Sequence, residues 1–98
     1  MKKAKSIFKK IKSISEKGIE PVLEGLNNYK ANLPHIEKKA IIRAQKCLNC
    51  NERLYEPVEI VRVKDKRIES NSNHVCGVCF CSLTYLTRQD QKICEKWE

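Results

Sequence analysis

The chain has 98 residues, a net charge of +8, 33% charged residues and six cysteines. That length allows one domain, or a small domain with an appendage, and the charged share leaves room only for a small apolar core. It excludes a membrane span, since no apolar run approaches the roughly 20 residues a spanning helix needs. No secretory leader is expected either, because lysines interrupt the apolar positions of the basic N-terminus. The charge is uneven: residues 1–17 carry seven lysines against Glu16, residues 18–46 are mildly basic, and residues 47–98 are neutral with eight charges of each sign. The chain therefore divides into a basic helical arm, 1–46, and a cysteine module, 47–98.

Along residues 3–17, Ala4, Ile7, Phe8, Ile11 and Ile14 recur at helical spacing, with lysines over most of the remaining circumference. This predicts an amphipathic basic helix closed by Gly18, the residue type favoured just past a helix end. Its Ile7, Phe8, Ile11 and Ile14 stripe suits docking into a groove on a partner. Its lysines, Lys2, Lys3, Lys5, Lys9, Lys10 and Lys12, suit contact with phosphates in an alternative, nucleic-acid-binding reading. A helix lying in a membrane interface is a third reading, and against all three stands simple packing of the stripe on the protein's own core. A second helix is expected near 21–31, with Pro21 in its first turn and with Val22, Leu23, Leu26 and Tyr29 on one side. Gly25 weakens it by about 1 kcal/mol relative to Ala. Asn32-Leu33-Pro34 reads as a break. A third helix, 34–46, puts Ile36, Ala40, Ile41, Ala44 and then Cys47 on one face and delivers the chain into the cysteines.

Val58 to Val63 is rich in β-branched residues and follows Pro57, which predicts a strand. Lys64-Asp65-Lys66 is expected to turn and Arg67 to Glu69 to return, making a hairpin. After Cys81, Ser82 is a candidate cap for a short helix through Leu83, Tyr85 and Leu86. Ile93, Cys94 and Trp97 then return over the module, with Trp97 as a plug for its core. The expected fold is a small α+β protein: N-terminal helices, then a zinc-ribbon-like module with a β-hairpin and a short C-terminal helix.

The cysteines read Cys47-x-x-Cys50, then Cys76-x-x-Cys79-x-Cys81, then Cys94. Two Cys-x-x-Cys turns separated by a loop are the spacing at which four thiolates converge on one tetrahedral zinc ion. A structural zinc supplies apparent binding energy of about 10–16 kcal/mol, which becomes folding energy in a module this small. The first choice of ligands is Cys47, Cys50, Cys76 and Cys79. Cys47, Cys50, Cys79 and Cys94 form a rival set, and Cys81, Cys94 and His74 are alternates. Asn51, after the first pair, tolerates the left-handed backbone such turns often need; Phe80, after the second, does not. Three disulfides would require an oxidising compartment. A catalytic thiol lacks a partner, and there is no phosphate loop or paired-acid motif, so neither an enzyme nor a small-molecule substrate is expected.

Cys47-x-x-Cys50 with Cys76-x-x-Cys79-x-Cys81-x-Leu83, Thr87-Arg88, Cys94 and a terminal Trp97 resembles small phage-encoded zinc-ribbon-like proteins, over about half of the chain. The resemblance implies a virus-encoded accessory protein. Together with the arm, it leads to the expectation of a non-catalytic auxiliary component of a phage particle. Such a protein would be made in the bacterial cytoplasm, docked on the capsid through its N-terminal helix and located in the virion.

Overall fold

The computed structural model describes residues 19–97; the amphipathic segment 3–17 and its Gly18 stop lie outside the described residues. Two helices come first, α1 over Glu20–Ala31 and α2 over Pro34–Leu48. Both carry proline in the first turn, where its missing N–H is not needed. Asn32, left-handed at φ 52°, ends α1 by returning its N–H to Asn28, and Pro34 restarts the chain. The second and third helices therefore form where the sequence places them. Their buried faces are narrower than expected. Ala40, Ala44 and Cys47 face inward, whereas Ile41 and Leu23 are exposed.

Gly25 has a use that its helix propensity hides. A Cβ there would lie 2.2 Å from the carbonyl oxygen of Tyr85, so the glycine lets α1 lie directly against the backbone of α3, the single turn Leu83–Leu86. Ser82 precedes α3 as expected, but its side chain makes no cap; its backbone oxygen accepts from Tyr85 and Leu86 instead.

The hairpin is present but displaced. β1, Arg53–Tyr55, pairs antiparallel with β2, His74–Cys76, in the register Arg53 to Cys76, Leu54 to Val75 and Tyr55 to His74. Val58 to Val63 is no strand: Glu59–Val61 forms a 3-10 turn, and Ile60 is 91% exposed. A β-branched run pairs only if a neighbour offers it a ladder. Here the two segments that abut the cysteine turns take each other as partners, and the run between them becomes a loop. Its return, Arg67 to Glu69, is likewise a loop that leads into a second 3-10 turn, Glu69–Asn71.

The interior has two centres. Ala40 and Ala44 pack with Ile68 on one side; Cys47, Leu83, Leu86 and Trp97 pack on the other, with Cys76, Cys81 and Cys94 against them. Trp97 is buried, the plug the sequence suggests. Between the centres lies Arg88, 1% exposed. It grips Glu37 of α2 with Nε and Nη2 at 2.7 and 2.8 Å, donates to Asp65 at 2.6 Å and to the Thr84 carbonyl at 2.9 Å, and covers the Tyr29 ring of α1. A buried charge without partners costs several kcal/mol. Fully bonded, this one ties both long helices, the central loop and α3 together. Burial favours the neutral form of Asp65, but Arg88 and the Ile68 and Arg67 amides outweigh it and hold the carboxyl below its ordinary value.

Candidate metal centre

Two tight turns build the site. In the first, at the end of α2, Cys50 donates its N–H to the Cys47 carbonyl at 3.0 Å, and the Glu52 amide points at the Cys50 sulfur at 3.4 Å. In the second, Phe80 donates to the Cys76 carbonyl at 2.6 Å and Cys76 to the Cys81 carbonyl at 3.1 Å. The left-handed residue is Phe80, at φ 59°, while Asn51 is not left-handed, the reverse of the expectation. The cost of that backbone, about 1–2 kcal/mol, is of the same size as the roughly 1.5–3 kcal/mol gained by burying an aromatic ring, and Phe80 is buried. Gly77 joins the two turns: its N–H donates to the Glu52 carbonyl, and a Cβ would stand 2.8 Å from that oxygen.

The turns and the returning C-terminus line a partly open cavity of about 20 Å³ with Cys47, Cys50, Cys76 and Cys94, the apolar Leu83, Leu86 and Trp97, and the charged Lys46, Glu52, Arg53 and Lys96. That is room for one water-sized particle. No disulfide joins any of the six cysteines. The indole N–H of Trp97 donates to the Cys47 sulfur at 3.3 Å, and the Lys96 ammonium lies 3.5 Å from that of Cys50. N–H donors and cations favour thiolate over thiol, so the rim supplies what a cluster of sulfurs needs to share one ion. As placed, no three His, Cys, Asp or Glu side chains among the described residues are close enough to grip an ion.

The thiols are not equivalent. Burial pushes Cys47 up despite the Trp97 bond. Cys76 is pulled down to about 6 by the hydrogen bond from the Cys79 thiol, against burial and with help from the Val78 and Cys79 amides. Cys79, donating to Cys76 and standing beside Cys81, is held in its protonated form. Cys81 has the Lys92 ammonium 3.3 Å from its sulfur.

Of the first-choice ligands, Cys47, Cys50 and Cys76 line the cavity and Cys79 does not; Cys94, from the rival set, does. His74 also stays off the cavity, with Nδ1 2.8 Å from the Ser72 carbonyl and its ring edge-on to Tyr55. The expected docking stripe and the six lysines of the nucleic-acid reading lie outside the described residues. Sequence reasoning missed Trp97 as a sulfur donor and the charged Lys46, Glu52, Arg53 and Lys96 beside the cysteines. Their nearness to the cysteines, whether in sequence or across the hairpin, was the only available signal.

The model of the family described as snRNA-activating protein complex (SNAPc), subunit 3, matches residues 22–97, and the chain belongs to that family. No curated protein and no solved structure matches it. The family match overturns the phage reading. The chain is not one of the phage zinc-ribbon-like proteins, and the viral, capsid-associated and virion expectations fall with that resemblance. The shared Cys-x-x-Cys spacing explains the error: it reports a way of stapling a small module and says nothing of whose module it is. Among the described residues no helix is long and apolar enough to cross a membrane.

Proposed function

We propose, from membership of this family and from the thiol-lined cavity, that the chain is a non-catalytic, zinc-stapled interaction module working as part of a multi-subunit snRNA-activating protein complex. The observation that carries the proposal is the convergence of four cysteine residues, from two turns and the C-terminal return, on one cavity the size of a single ion. Sulfur donors in this number select a soft or borderline cation, and zinc is the one used for closed structural sites. The donor types suit it, with Cys47 and Cys50 from the first turn, Cys76 from the second and a fourth thiolate from Cys79 or Cys94, and binding would have to draw these side chains closer than they stand. The ion would lock the end of α2 to β2 and the C-terminal return, giving a rigid block whose outer surface is free for partner subunits.

The test has two parts, metal and assembly. The purified chain is expected to carry one zinc by native mass spectrometry and to join the other subunits of such a complex on reconstitution, with a chelator abolishing both. A zinc-free folded chain would refute the staple. Assembly unaffected by chelation would refute the link between the metal and the interaction surface.

A further inference from the structure

We propose that the outer face of α2 is a docking surface, and that its occupant is an amphipathic helix of a partner protein whose apolar stripe is flanked by aspartates or glutamates. This rests on the reading of the chain as one subunit of a larger assembly and names a surface through which it would join.

α2 is committed on one side only. Ala40, Ala44 and Cys47 turn inward, and Glu37, its one acidic residue, is held there by Arg88 and Arg67. On the solvent side Ile41 and Leu48, seven residues apart, fall almost on one line of the helix and about 10 Å apart along its axis. Gln45 lies between them and Ile42 beside it. Ile41, Ile42 and Leu48 are 47%, 51% and 52% exposed. One such side chain would need no account, but three on one face form a patch of the kind that marks an interaction site. Apolar side chains repeating over seven residues are what a second helix packs against.

Charge selects the occupant. Lys38 and Lys46 are exposed on this face and enter no ion pair among the described residues. Lys39 and Arg43 already hold Asp90. A second copy of the chain would set its own Lys38 and Lys46 against these. The segment 1–17 has an apolar stripe of its own but brings seven lysines against Glu16. Like charges disfavour both. A helix with acidic flanks covers the same apolar side chains and meets both lysines with opposite charge.

The test uses the full chain and two labelled synthetic helical peptides that share one leucine stripe, flanked by glutamates in one and by lysines in the other. Fluorescence anisotropy should show the glutamate peptide bound at least about tenfold more tightly, with the preference shrinking as salt is added. Ile41→Ser with Ile42→Ser is expected to abolish binding, and Lys38→Glu with Lys46→Glu to reverse the preference. All four side chains are surface groups, so the thermal midpoint should stay close to that of wild type. Binding of neither peptide, equal affinity for both, or binding that survives the serine pair would overturn the proposal. So would self-association in sedimentation velocity that the serine pair removes, which would give the face to a second copy. Peptide binding that appears only in Ile11→Ser would give it to the segment 1–17 and overturn the proposal as well. On reconstitution with the other subunits of such a complex, wild type should join and the serine pair should not. A serine pair that joins as wild type does would overturn this face and leave the subunit reading standing, whereas wild type that fails to join would overturn that reading itself.

Discussion

The two centres of this molecule solve the problem of a small core in different ways. On one side a buried arginine, itself wholly bonded, holds two helices, a loop and α3 around a minimal apolar patch, Ala40, Ala44 and Ile68. On the other, cysteines and Trp97 enclose a cavity that proteinaceous contacts alone leave open. The first is filled by its own side chains; the second leaves a small space beside its cysteines that the proposed ion would occupy. A chain of 98 residues buries too little apolar surface to be indifferent to either device.

The comparison can be broken most severely at Arg88. Arg88→Met leaves Asp65 buried and Glu37 half-buried, each without its main partner, and such a loss costs about 3–5 kcal/mol. Urea denaturation should show a drop of that size. Because Arg88 does not line the cavity, the zinc stoichiometry of whatever remains folded should be unchanged.

Gly25→Ala tests the packing of α1 on α3. Helix propensity alone would make alanine better by about 1 kcal/mol. The Tyr85 carbonyl 2.2 Å from the new Cβ is backbone, which cannot swing aside, and overpacking of this kind costs about 1–3 kcal/mol. The net effect is expected to be destabilising, read as a lower thermal midpoint.

Acid should affect the arginine side through Asp65. Its carboxyl is depressed in the folded protein relative to 3.8, so the unfolded chain takes up its proton first as the pH falls. The contribution is full above that ordinary value and disappears as the pH drops through the lower folded value. Asp65→Asn should remove this pH dependence from the stability curve below about pH 4, at a constant cost above it.

The smallest effect belongs to the exposed pair Lys39 and Asp90, 2.7 Å apart. Lys39→Ala should change stability by about 0–1 kcal/mol, and less at high salt, as surface ion pairs do. Arg43 also holds Asp90, at 2.8 Å, and the Gln89 carbonyl, so the carboxylate keeps a partner.

The two sides also differed in how readable they were. The long helices announced themselves through Pro21, Pro34 and the Asn32 break, and the cysteine spacing suggested a metal-like site, because both are local patterns. Arg88, Glu37, Asp65 and Tyr29 are scattered through the chain and follow no period, so nothing local marks them as a cluster. The strand expected at Val58 to Val63 failed for a related reason: propensity describes a residue's fitness for a ladder, and the ladder is supplied by distant partners, here Arg53–Tyr55 and His74–Cys76. At the cysteines, spacing could not foresee that Cys94 lines the cavity and Cys79 does not, because the reversal held by Gln89 is a tertiary feature. Gly25 was read as a weakness since its cost is local and its benefit is not.

The central claim is that the thiol side depends on a metal while the arginine side does not. Trp97 is the only tryptophan and sits against Cys47, so its fluorescence reports the thiol side. Adding a chelator to the zinc-loaded chain while following Trp97 emission and unfolding tests the claim most directly. The account predicts a red-shifted emission and a large loss of stability, drawn from the roughly 10–16 kcal/mol of apparent energy that structural zinc supplies. Unchanged emission and an unchanged denaturation midpoint after the metal is removed would contradict it.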